Sequence, residues 1–166
     1  MVSMDPALLR TSRSAWTRVL LAGLAIGTLD LLFACSYWGV GYDVPPIRIL
    51  HSVAAGVLGP QARESGLAGA ALGAACHYFI ATCMAAAYWL AASRMPRLSQ
   101  RPIVYGLAYG LVLYAFMTWV VVPLSNAPHG QAMPLAWTLS SIAMHALIGV
   151  LCAWFARTAL RSRRLS

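Results

Sequence analysis

Residues 66–92 read GLAGAALGAACHYFIATCMAAAYWLAA, and no charged side chain occurs between Glu64 and Arg94. At about 1.5 Å per helical residue, this run is longer than the roughly 30 Å hydrocarbon core of a bilayer. A helix on the surface of a soluble protein carries a polar face, and none can be drawn here. The stretch reads as a membrane-spanning helix with His77 near its middle.

The rest of the chain has the same character. Of its 166 residues, 60% are hydrophobic and 10% charged, which is the composition of an integral membrane protein. The formal charge of +8 comes from twelve basic residues, all of them Arg. They sit in short flanks between apolar runs rather than on a basic face interleaved with aromatics, which excludes nucleic acid as a partner and leaves the lipid bilayer. Cys35, Cys76, Cys83 and Cys152 all fall inside apolar runs and show no CxxC spacing. They read as small packing residues and indicate neither a zinc site nor a disulfide framework.

Four spans follow, at about residues 16–40, 66–92, 103–125 and 135–156, in an all-α antiparallel bundle. Residues 1–15 are polar, carry Arg10 and Arg13, and read as frayed. The segment Leu32-Phe33-Ala34-Cys35 resembles a lipoprotein cleavage site, but the apolar run is too long for a signal core and Asp30 lies just before it, so no cleavage is expected. In the first loop, Ile47, Leu50, Ala54, Val57 and Leu58 recur at helical spacing between Pro46 and Gly59-Pro60. That pattern gives a short outer-side helix over 47–58, amphipathic or re-entrant, too short to span. Pro123, Pro128, Gly130 and Pro134 break the last apolar run into a hairpin, with His129 as a turn residue.

Ten of the twelve arginines lie in the N-terminal flank, the loop before residue 103 and the C-terminal tail; the other two loops hold only Arg48 and Arg63, offset by Asp43 and Glu64. The positive-inside rule puts both termini in the cytoplasm. Trp16, Trp89 and Trp154 then mark the inner border, and Trp38, Trp119 and Trp137 the outer one. Tyr105 and Tyr109 read as interfacial anchors. Lipid supplies no hydrophobic drive between helices, so close packing is assigned to Gly23 and Gly27, Gly69 and Gly73, Gly106 and Gly110, and Ser141, Ala146 and Gly149. A homo-oligomer through one of these Gly-rich faces is left open.

Three ionisable residues lie inside spans: Asp30, His77 and His145. By residue count they sit about 12 to 16 Å from the outer ends of their helices, each beside small residues that mark the packed side. Such residues face the protein interior, so the three are expected to converge as an intramembrane polar cluster, with Gly27, Gly73 and Gly149 inside with them. The plainest use is structural, a carboxylate–imidazole bond that locks a non-enzymatic bundle. A carboxylate with two imidazoles can also carry protons or an ion. Alternatively, His77 and His145 can be axial ligands of haem b, with Gly73 and Gly149 giving room for the macrocycle. A metal is left undecided, because three ligands are incomplete and no HExxH spacing supports them. Arg48 and His51 are placed at the outer mouth. No nucleophile–base pairing or phosphate-cradling loop indicates an enzyme.

The order of Pro45-Pro46, His77, Tyr88, Met95-Pro96-Arg97, Pro123-Leu124-Ser125, His145 and Arg157 resembles the YagU-like family of bacterial inner-membrane proteins, and more generally small four-helix membrane proteins of proteobacteria. The resemblance implies an inner-membrane location and assigns no functional residue.

Overall fold

The computed structural model describes residues 6–128 and 132–164, and the backbone there is almost entirely helical. Helix α1 runs Pro6–Tyr42, α2 Pro46–Leu58, α3 Gly66–Arg94, α4 Pro96–Gln100, α5 Pro102–Phe116, α6 Val122–Leu124 and α7 Leu135–Arg164. Four stretches are long and apolar enough to cross a membrane: Ala15–Tyr42, Gly66–Arg94, Pro102–Leu124 and Leu135–Arg161. His129 lies outside the described residues.

Prolines punctuate the chain. Pro46, Pro96 and Pro102 each open a helix, where a missing N–H costs nothing. A proline also pushes the preceding residue out of the helical region, so Pro45 is extended and Met95 and Arg101 break the path between α3, α4 and α5. Pro123 cannot donate to the carbonyl four residues back. The ladder before it widens into a π-helical segment, Met117–Val121, closed by the Val122 N–H on the Met117 carbonyl. Helix α1 stops at Asp43, whose φ of 53° is left-handed and whose N–H caps the Gly39 carbonyl at 3.2 Å.

Backbone contact between spans is made through glycine. A Cβ on Gly110 would lie 2.6 Å from Ala146 Cα, and one on Gly106 would lie 2.6 Å from Val150 Cα. Gly149 faces the same two glycines from α7, so α5 and α7 touch backbone to backbone. Gly23 and Gly27 admit Thr82 and Tyr78 of α3, and Gly73 admits the Leu50 carbonyl of α2. The sequence leaves these faces open for a second copy of the chain; in the structure a helix of the same chain fills each of them.

Contacts ascend one helix as they descend its neighbour. Trp16 meets Trp89, Gly23 meets Thr82, and Thr28 meets Tyr78. Likewise Arg18 meets Thr158 and Phe33 meets Trp137. Helices α1, α3 and α7 all pack on one another, α5 lies mainly against α7, and α2 lies against α3.

The main core occupies only one half of this assembly. It runs from Ala15 to Ile26 on α1, Ala81 to Ala92 on α3, Leu113 on α5 and Ile148 to Ala159 on α7, with alanine in most positions. That half adjoins the Arg-rich end. Beyond Gly27, no residue of α1 is buried. A separate small core joins Ala54 and Ala55 of α2 to Ala62 of the turn that follows it.

Several expectations need correction. Residues 6–14 are the first turns of α1 rather than frayed chain, and the basic tail through Arg164 continues α7 as helix. Arg18 ties the two together, its Nη1–H donating to the Thr158 carbonyl at 2.9 Å. The basic loop contains a five-residue helix, α4, and the Tyr88 hydroxyl donates to its Leu98 carbonyl at 3.1 Å. Tyr109 is not a simple interfacial anchor. Its hydroxyl donates to the Met84 carbonyl of α3 at 2.8 Å, and its ring meets Tyr88 edge-on.

Candidate functional site

Asp30, His77 and His145 sit at the rim of the main core. Asp30 is one turn beyond Ile26, His77 one turn beyond Ala81 and His145 three residues beyond Ile148, each the outermost core residue of its helix. Tyr114 follows Leu113 on α5 in the same way.

The close approach of α1 and α3 positions His77. A Cβ on Gly27 would stand 2.9 Å from the Tyr78 ring, so only glycine lets the helices come this near. The Gly27 carbonyl is then reached by His77 Nε2 at 2.8 Å. A carbonyl can only accept, so Nε2 carries the proton and Nδ1 keeps the lone pair when the ring is neutral. Tyr78 adds a second clasp, its hydroxyl 3.0 Å from Thr28 Oγ1.

His145 is held differently. Its Nδ1–H donates to the Ser141 carbonyl of its own helix at 2.9 Å, and the ring stands edge-on to Tyr114 at 5.5 Å. The Gly110 contact brings α5 against the backbone of α7 at this residue, which is why Tyr114 can reach it. By the same donor logic, Nε2 is the free nitrogen of His145.

Asp30 is half-buried on α1. Among the described residues no hydrogen bond or ion pair joins its carboxylate to either ring. The carboxylate–imidazole lock expected from the sequence is absent from these residues. The bond that fastens His77 goes to backbone instead.

The glycines expected to make room for a macrocycle are filled, Gly73 by α2 and Gly149 by α5, and His77 Nε2 is taken by the Gly27 carbonyl. Gly27, Gly73 and Gly149 are all buried as expected, but each against a different helix. Among the described residues, no group of three or more His, Cys, Asp or Glu side chains is placed to hold a metal ion.

His51 is not at an outer mouth. It is 5% exposed, and its Nε2–H donates to the Gly66 carbonyl at 2.8 Å, pinning α2 to the first residue of α3. Its Nδ1 is buried without a partner. Arg48, three residues earlier, is exposed.

One feature escapes the sequence reading. Phe33, Tyr37, Trp38 and Tyr42 of α1 join Trp137 of α7 in a continuous aromatic cluster, with ring centroids 4.8 to 6.3 Å apart. The spacing of 33 to 37 and 38 to 42 was its signal, since residues four apart share a helix face. The chain matches no family model, no curated protein and no solved structure.

Proposed function

We propose that this chain is a multi-pass protein of the bacterial inner membrane, an antiparallel four-span bundle with both termini cytoplasmic. In this reading Asp30, His77 and His145 form one protonatable site that carries protons or an ion and catalyses no covalent chemistry. The observation that carries it is their common position at the rim of the core, below a half of α1 with no buried residue. The carboxylate makes no hydrogen bond among the described residues, and each imidazole bonds a backbone carbonyl through one nitrogen and keeps the other.

The arginine distribution supports the orientation, and it makes the open half the outer one. The opposed senses of the interhelical contacts support the antiparallel order. Helix α2 meets α3 at Gly73, about 10 Å into that helix, which favours a re-entrant over an interfacial position. An inert bundle is the second reading, favoured by the His77–Gly27 bond, which is a plain interhelical fastening.

Purified protein in vesicles with an imposed pH gradient separates the two. Carriage predicts dye-reported proton flux above that of empty vesicles, reduced at least about tenfold in Asp30→Asn and retained in part in Asp30→Glu. Flux no faster than in empty vesicles, for protons and for sodium or potassium gradients alike, leaves the inert bundle.

A further inference from the structure

The C-terminal end of α2 is closed by a residue from far along the chain. Its Gly56 carbonyl would look to residue 60 for a donor, and Pro60 has none. Asn126 supplies one instead, its backbone N–H reaching the Gly56 carbonyl at 3.0 Å while its Nδ2–H donates to the Val57 carbonyl at 2.9 Å. Ala127 packs beside them on Ala54, Ala55 and Ala62. Helix α2 is a fixed post, held to α3 through His51 and at Gly73. The third span, Pro102–Leu124, therefore begins on α7 and finishes on α2. Its inner half is clamped to α7 at Gly106 and Gly110, and Leu113 is its last buried residue. From Met117 to Leu124 nothing is buried, and this stretch packs chiefly on its own neighbours in the chain. The same stretch holds the π-helical turn and Pro123, two recognised causes of a bend. It starts three residues beyond Tyr114, whose ring meets His145.

We propose that Asn126 is a latch and Met117–Val121 its hinge, so that the outer segment of the third span gates the half-buried Asp30, His77 and His145. The inference rests on the carrier reading above and names how that site is regulated. Latched, as in this structure, the segment leaves α7 and stands on α2. Released, it swings about the π-helical turn and closes along α7, above Tyr114 and His145. Two features favour release over a fixed joint. The latch is two hydrogen bonds from an exposed residue with only alanines packed beside it, which belongs to the low-stability end of a structure. Water takes over the Asn126 amide when it lets go, so opening costs little. The other anchor, by contrast, is backbone against backbone at Gly106 and Gly110.

Two readouts test it, both on the full chain in vesicles with the four native cysteines changed to alanine. A Cβ on Gly56 would lie 3.7 Å from Ser125 Cβ, inside the range of about 3.5–4.5 Å that a disulfide spans. Gly56→Cys with Ser125→Cys should therefore cross-link under mild oxidation and hold the latch shut. The cross-link should lower proton flux at least about tenfold, and dithiothreitol should restore it. Ser125→Cys alone controls for the lost hydroxyl. Independently, spin labels on Leu124→Cys and Leu135→Cys, both at exposed positions, measure the distance from the end of the third span to the start of α7. The parent should give two distances, and Asn126→Ala, which removes one of the two bonds, should favour the shorter about fivefold. Asn126→Pro removes both bonds and should favour it further, and the extended Ser125 before it accepts a proline. A single distance that neither variant moves would overturn the latch, as would parental flux in the cross-linked chain or a pair that does not cross-link. Flux in the reduced chain with an unmoved distance sinks this inference alone. Labels that shift in a reduced chain without flux support the latch and retire the carrier.

Discussion

The two halves of this bundle are built by different rules. At the Arg-rich end, alanine, glycine and Cys152 let four helices close on one another, and the core residues there are all below a tenth exposed. At the opposite end, α1 presents Phe33, Tyr37, Trp38 and Tyr42, and the helix has no buried residue beyond Gly27. In lipid, apolar side chains gain little by leaving the bilayer for one another, so closure depends on how near two backbones can come. Small residues permit that approach, and large aromatic ones hold the helices apart. The polar residues lie where one rule gives way to the other, at a depth where a charge must face protein or water.

The comparison breaks most sharply at the α5–α7 contact. Gly110→Leu should destabilise the protein by about 3 kcal/mol, the upper end of overpacking costs, because the new side chain meets backbone on α7 that cannot rotate aside. Val40→Leu, at a position 89% exposed in the other half, should change stability by less than about 0.5 kcal/mol. Unfolding in mixed micelles measures both. Similar costs at the two positions would mean that the halves are packed alike.

Much of the fold was legible in the residues. Long apolar runs, three of them uncharged over more than twenty residues and the first, after Arg18, interrupted only by Asp30, together with proline-marked breaks, identify the four apolar helices and α2, because length and hydropathy are local properties. The glycines likewise announce close packing through their spacing alone. What spacing cannot give is the partner. Gly73 and Gly149 look equivalent beside His77 and His145, but one receives α2 and the other α5, a choice made by connectivity and helix rotation. His51 looked like a mouth residue because it follows Arg48 on a short helix, and only the fold buries it against Gly66. The half-open core was hidden for the same reason, since burial belongs to the assembly and not to any one run.

Water access gives the second contrast. In a chain with its four native cysteines changed to alanine, Ala34→Cys and Ala22→Cys place a thiol on the packed side of α1 in the open and closed halves. A charged, membrane-impermeant thiol reagent added from outside should modify position 34 at least about tenfold faster than position 22, since reaction requires the hydrated thiolate. Ala22 is 1% exposed within the main core, while Ala34 is only half-buried. Equal protection at both positions would mean that the Arg-poor half is closed as tightly as the Arg-rich one.

The smallest effect concerns what holds α5. Tyr109 donates one hydrogen bond to the Met84 carbonyl of α3, whereas the Gly106, Gly110 and Gly149 contacts bring α5 and α7 together along their backbones. Tyr109→Phe removes the hydroxyl, keeps the edge-on ring contact with Tyr88, and leaves the Met84 carbonyl its place in the α3 ladder. Interhelical hydrogen bonds in membranes average about 0.6 kcal/mol when deleted, with a maximum near 1.7. The expected loss is therefore about 0.6 kcal/mol in the same unfolding assay, well under that of Gly110→Leu. A loss above about 2 kcal/mol would show that a polar bond, rather than backbone approach, closes this half, and the rule separating the two halves would fail at its strongest contact.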